Sequence, residues 1–136
     1  MNVAVRYYTK SGNTEKLAKA VAEQLGVEAK TVSDPLEEKV DILFLGSSYY
    51  AFDMDPEVKR FLNENKDKIG KVACFGTSAM MKSMKKPMKK VAKEIGIVIA
   101  EEEFHCRGSF GLANKGRPNE QDMEQAKEFA AGLVNA

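Results

Sequence analysis

The residues best suited to chemistry are Thr9-Lys10-Ser11-Gly12-Asn13-Thr14, set between an apolar run and the start of a helical pattern. At such a turn the first backbone N–H groups of the helix have no intrahelical partner, and the helix dipole favours an anion. Gly12 permits a backbone conformation closed to other residues and a close approach of the chain to its ligand. The hydroxyls of Thr9, Ser11 and Thr14 and the amide of Asn13 add donors for phosphate oxygens, so no metal is required. A nucleoside-triphosphate loop would need a Gly-Lys-Ser/Thr ending, and a dinucleotide loop three spaced glycines. The competing reading is a simple helix cap, for which a single serine or asparagine suffices.

The elements that must position this loop alternate along the whole chain. Val3 to Tyr8 reads as a first strand; Leu17, Ala18, Val21, Ala22 and Leu25 recur at helical spacing, and Gly26 ends that helix. A weaker strand is expected over Val27 to Val32, and Asp34-Pro35 marks a turn. Val40 to Gly46, with Ile42-Leu43-Phe44-Leu45 at its centre, has the pattern of a central parallel strand buried on both faces. Asp55-Pro56 opens a helix with Val58, Phe61 and Leu62 inward, and Lys71 to Gly76 is a further strand. Met84, Met88, Val91, Ala92 and Ile95 line one face of the next helix, which Gly96 ends. A last strand region lies between Ile97 and Arg107, in one or two pieces, and Asn119 caps a final helix carrying Met123, Ala126, Phe129, Ala130 and Leu133. Five strands alternating with about four helices imply an α/β fold, a parallel sheet covered on both faces, in one domain over 1–136.

Composition narrows the function classes. The 136 residues carry a formal net charge of +1, so no global field draws the protein to nucleic acid, and none is expected as a partner. No stretch approaches the roughly 20 apolar residues of a membrane span, so a soluble, cytoplasmic protein is expected, without a membrane partner. Cys74 and Cys106 sit in apolar strand-like runs without metal or redox spacing and read as two buried thiols. His105 has no nucleophile or orienting partner that the sequence nominates, so it reads as structural or as a surface residue, and no catalytic or metal-binding residue is expected. Lys82, Lys85, Lys86, Lys89, Lys90 and Lys93 lie opposite the Met84–Ile95 stripe, as a solvated helix face or a docking patch for an acidic partner. Arg107 and Arg117 are open to a phosphate or a partner.

The loop Thr9–Thr14 resembles the phosphate loop of flavodoxins, with its pattern Thr/Ser-any-Thr/Ser-Gly-Asn-Thr, and the likeness extends over nearly the whole chain. The resemblance implies a flavodoxin-like αβα sandwich with a five-stranded parallel sheet of order 2-1-3-4-5, and flavin mononucleotide (FMN) as cofactor. In such a sheet ligands lie beyond the carboxyl ends of the strands. Two further loops would then meet the flavin. One holds Gly46, Ser47, Ser48, Tyr49, Tyr50, Ala51 and Phe52; the other holds Gly76, Thr77, Ser78, Ala79, Met80 and Met81. Tyr50 falls where many flavodoxins stack a side chain on the inner ring face, although Tyr49 or Phe52 can take that place, or the run can pack on a helix. Met80 and Met81 replace the aromatic residue usual at the outer face. Ala51 stands where many flavodoxins have a glycine whose peptide flips toward the flavin N5–H.

The function that the resemblance implies is electron transfer between redox partner proteins, a reductase donor and an acceptor enzyme, by a monomer or weak dimer. An FMN-dependent oxidoreductase acting on NAD(P)H and quinones or other small acceptors is the alternative. A third is a module that keeps the fold and has lost tight FMN binding. The near-neutral charge departs from the acidity usual in flavodoxins, so their usual partners do not transfer directly.

Overall fold

The computed structural model describes residues 1–9, 12–48, 55–78, 85–107 and 116–135. Five strands, β1 (Val3–Tyr7), β2 (Ala29–Thr31), β3 (Val40–Ser48), β4 (Ile69–Ser78) and β5 (Ile99–Arg107), form one sheet. All pairings are parallel and the order is 2-1-3-4-5, as expected. The helices are α1 (Asn13–Leu25), α2 (Pro56–Asn65), α3 (Lys85–Ile95) and α4 (Glu120–Val134), with one 3-10 turn at Lys66–Lys68.

Alternation along the strands divides the core into two layers. Val5, Ile42, Phe44, Ala73 and Phe75 face Leu17, Val21, Ala126 and Ala130 of α1 and α4. Leu43, Leu45, Val72 and Cys74 face Val58, Phe61 and Leu62 of α2 and Met88 and Val91 of α3. The unbroken run Ile42-Leu43-Phe44-Leu45 therefore reflects a central strand with helices on both sides.

Several expected boundaries are corrected. Val27 is not in β2: its N–H donates to Ala22 O as Gly26 N–H donates to Glu23 O, closing α1 through the left-handed Gly26. Tyr8 also lies just outside β1. β3 and β4 run beyond Gly46 and Gly76 to Ser48 and Ser78, because the Ser47–Gly76 and Ser48–Thr77 pairings continue the ladder through backbone groups alone. Ser47, Ser48, Gly76, Thr77 and Ser78 are thus strand ends rather than loop residues. β4 also begins earlier, at Ile69, paired with Val40. The last strand is one piece, with Val72 opposite Ile99 but Cys74 opposite Glu103. Two extra residues on β5 are absorbed between those pairs, an even shift that preserves which face each side chain takes. Met84, expected to begin the apolar stripe of α3, lies outside the described residues.

Candidate functional site

The site is built where α1 leaves β1. Gly12 begins α1 at φ +85°, the left-handed conformation anticipated from the sequence, and as a glycine it offers no capping side chain of its own. A helix of 13 residues thus points its N-terminus at the carboxyl edge of the sheet. The loop is held from within: Gly12 N–H donates to Thr9 Oγ1 at 3.0 Å.

Two contacts fix this helix end against the strands. Thr14 Oγ1 and Thr77 Oγ1 are hydrogen-bonded at 3.2 Å, joining the first turn of α1 to the end of β4. Both residues are buried, as is Asn13. Thr14 is therefore engaged with Thr77, a pairing that bridges 63 positions and that no local pattern announces. Gly46 makes the approach possible, since a β-carbon there would lie 2.5 Å from the Phe75 ring and 2.9 Å from Thr14 Cγ2.

On the other side of β3, Ser47 continues the face of Leu43 and Leu45, toward α2 and α3. It is 1% exposed, and its Oγ has no hydrogen-bond partner among the described residues. A buried hydroxyl left without a partner is unfavourable by roughly 1–3 kcal/mol. The edge thus presents the N-terminus of α1 on one side of β3 and, on the other, a buried hydroxyl without a partner among the described residues. An extended ligand with an anionic end and a polar ring, crossing the strand ends, suits both groups. This donor set fits FMN.

Beside the loop lies an open cleft of about 420 Å³ over the ends of β1 and β2, reached through Thr9. Tyr7 and Glu15 line it, and the Tyr7 hydroxyl donates to Glu15 Oε2 at 2.9 Å. That bond, with Lys19 adding to it, holds the Glu15 carboxyl below its usual range. Burial, aided by Glu15, raises the Tyr7 phenol. The pair flanks the loop in sequence and ties the first turn of α1 to β1, a role that sequence reasoning missed.

The remaining candidates are placed as follows. Lys10, Ser11, Tyr49, Tyr50, Ala51, Phe52, Ala79, Met80 and Met81 lie outside the described residues. Arg117 turns inward to Asp122, with Nε at 3.0 Å and Nη2 at 2.6 Å from its two carboxylate oxygens. Asp122 also accepts from Asn119 N–H while its own N–H donates to Asn119 Oδ1, a reciprocal cap of α4. The Arg117 bond is the main cause that holds the Asp122 carboxyl below its usual range.

His105 does have a partner, Glu103 Oε2 at 3.3 Å. Burial outweighs that carboxylate and lowers the imidazole. Cys74 is buried as expected, while Cys106 is only partly buried; burial pushes both thiols up to about 12. Among the described residues no cluster of three His, Cys, Asp or Glu could hold a metal, and no helix is long and apolar enough to cross a membrane.

A flavodoxin-domain family model matches residues 4–111, which span the loop, both strand ends and Ser47. The chain belongs to the flavodoxin family. It is 32% identical to the uncharacterised protein MJ0298 of Methanocaldococcus jannaschii, covering 90% of each chain. A flavodoxin from the domain Archaea superposes with a TM-score of 0.78 at 18% identity, covering 99% of this chain and 97% of the other. Oxidised flavodoxin 1 from Bacillus cereus gives a TM-score of 0.71 at 23% identity, with 99% and 98% covered. Both superpositions bear on the fold. Flavodoxins are flavin-binding electron-transfer proteins, typically with FMN, so the family and the geometry of the edge point to the same class of ligand.

Proposed function

We propose that this flavodoxin binds FMN with its phosphate at the N-terminus of α1 and carries electrons between redox partner proteins. The observation that carries the reading is the start of α1 at the carboxyl edge of the sheet, opened by the left-handed Gly12 and pinned to β4 through Thr14 and Thr77. Thr9, Gly12 and Asn13, with Lys10 and Ser11 between them in sequence, would hold the phosphate, and Gly46 keeps the helix end close enough to the sheet for them to do so. Ser47 supplies a donor or acceptor on the far side of β3. When bound, FMN supplies the redox chemistry, and the chain supplies binding, orientation and electrostatics. The Gly12–Thr9 and Thr14–Thr77 bonds hold the start of α1 in place, which lowers the reorganisation that opposes binding.

The test is to saturate the purified protein with FMN, remove the excess and titrate it reductively under visible spectroscopy, with an NAD(P)H–quinone turnover assay in parallel. Stoichiometric FMN, reversible reduction and no turnover support the carrier. Retained FMN with turnover makes the protein an oxidoreductase, and no uptake makes it a module without tight FMN binding.

A further inference from the structure

The near-neutral net charge conceals a strong separation of charge. Between positions 82 and 94 the sequence has six lysines and one glutamate, a balance of +5. The whole chain has 21 basic and 20 acidic residues, so the remainder holds 15 and 19, a balance of −4. The basic segment follows directly on the expected flavin loop that ends at Met81. At 100° per residue, Lys89, Lys90 and Lys93 fall within one arc of about 100° on α3, and Met88, Val91, Ala92 and Ile95 within another. Met88, Val91 and Ala92 are buried, and Lys89, Lys90 and Lys93 are exposed.

A solvated helix face needs polar residues but not residues of one sign, and this face runs against helix electrostatics in three ways. Lysines at 85–89, 86–90 and 89–93 form like-charge pairs four residues apart, which destabilise a helix. Lys85 and Lys86 stand at the positive end of the helix dipole. α1, α2 and α4 each have an acidic residue in the first turn, and α3 has none. Counter-ions are also lacking: among the described residues Lys89, Lys90 and Lys93 form no ion pair. Lys127, by contrast, is held by Glu23 and Glu124, and the Glu57 and Glu64 carboxylates on neighbouring α2 are bound by Arg60. Such local cost without structural return is expected at a functional surface.

We infer that the lysine face of α3 is the docking surface for an acidic redox protein, which it orients against the carboxyl edge of the sheet where β4 ends. This rests on the FMN electron-transfer reading above. A compact acidic partner can touch the +5 face while avoiding the −4 remainder, and the resulting dipole steers it into one orientation. A long nucleic acid would meet the acidic remainder. Insertion into a membrane would need apolar residues on the same face, and Met88, Val91 and Ala92 of α3 are buried in the core.

The test uses the FMN-loaded protein, reduced with one equivalent of dithionite, and two ferric haem proteins of opposite charge, acidic cytochrome b5 and basic cytochrome c. Each two-electron-reduced flavin reduces two ferric haems by one electron each, read by haem absorbance. At about 10 mM ionic strength cytochrome b5 should be reduced faster, and a triple variant Lys89→Glu, Lys90→Glu and Lys93→Glu should slow that reaction at least about 10-fold, the difference vanishing near 0.5 M salt. The corresponding glutamine variant should be intermediate, and both should bind FMN as the parent does. An unchanged rate in the triple variant, or a parent preference for cytochrome c, overturns the proposal. Binding of the parent to vesicles containing phosphatidylserine without binding to cytochrome b5 overturns it, as does a low-salt dimer abolished by the triple variant. If the chain takes up no FMN, the electron-transfer reading fails by itself. The surface is then judged by nitrogen-15 amide shifts on adding cytochrome b5: shifts along 85–93 that the triple variant loses support it, and their absence refutes it.

Discussion

Replacing Gly46 by alanine would put a methyl group where the structure has no room for one. The new β-carbon would lie 2.5 and 2.6 Å from Cε2 and Cζ of Phe75 and 2.9 Å from Thr14 Cγ2. Ordinary contacts between carbons need about 3.5–4.0 Å, so the neighbours must move by roughly 0.6–1.5 Å. Neither is the free end of a flexible chain: Phe75 and Thr14 are both fully buried, and Thr14 is bonded to Thr77. Overpacking of this kind destabilises by about 1–3 kcal/mol. In a chain of this size, that corresponds to a melting temperature lowered by roughly 4–12 °C. Moving Thr14 also moves the helix end that receives the phosphate, so FMN affinity should fall at least about 10-fold, given the steep dependence of charge-assisted hydrogen bonds on geometry. Circular dichroism melts and quenching of FMN fluorescence read the two effects. Gly132→Ala is the control, because a β-carbon there meets nothing within 4 Å, and a helical alanine stabilises by up to about 1 kcal/mol. A Gly46→Ala protein that melts with the parent and binds FMN equally would refute the close approach on which the site depends.

Asp122→Ala removes the acceptor of both Arg117 bonds and of the Asn119 N–H, and should lower stability by about 1–3 kcal/mol in urea titrations. Because the folded carboxyl titrates below its usual 3.8, that gap should be constant from neutral pH down to that value and shrink only in stronger acid. His105 is held below its usual 6.5, so it is neutral in the fold and gains a proton on unfolding. Stability should therefore fall as pH drops through that value and level off below the folded pKa; His105→Gln should remove this slope, and an unchanged slope would contradict the assignment. With both thiols pushed up to about 12, Ellman's reagent at pH 8 should leave Cys74 and Cys106 unmodified in the native protein and titrate both in denaturant.

What the sequence displayed well were features encoded by neighbours. Gly26 ending α1, Asp55-Pro56 opening α2 and Asn119 capping α4 are local signals, and the structure contains all three. The left-handed Gly12 at the head of α1 belongs with them. Features that depend on distant pairing were hidden. Ser47 and Thr77 look like loop residues by type, yet they extend strands because a parallel ladder uses only backbone groups. The same reason concealed the even register shift within β5. Arg117, legible only as a free cation, is committed to Asp122, and His105 lies beside Glu103 because alternate residues of a strand share a face. The ring-stacking candidates Tyr49, Tyr50, Phe52, Met80 and Met81 fall outside the described residues, as do Lys10 and Ser11 of the phosphate loop.

The central claim, that α1 receives the phosphate of FMN, is tested most directly by comparing FMN with riboflavin, which differs only in lacking the phosphate. Affinities from fluorescence quenching are needed for the parent and for a Gly12→Ala, Asn13→Ala double variant. The parent should bind FMN at least about 100-fold more tightly than riboflavin, as two or more charge-assisted hydrogen bonds imply. The double variant should lose most of that preference while its weak riboflavin binding is unchanged. Equal affinity of the parent for both flavins, or equal loss of both in the variant, would place the phosphate somewhere other than the start of α1.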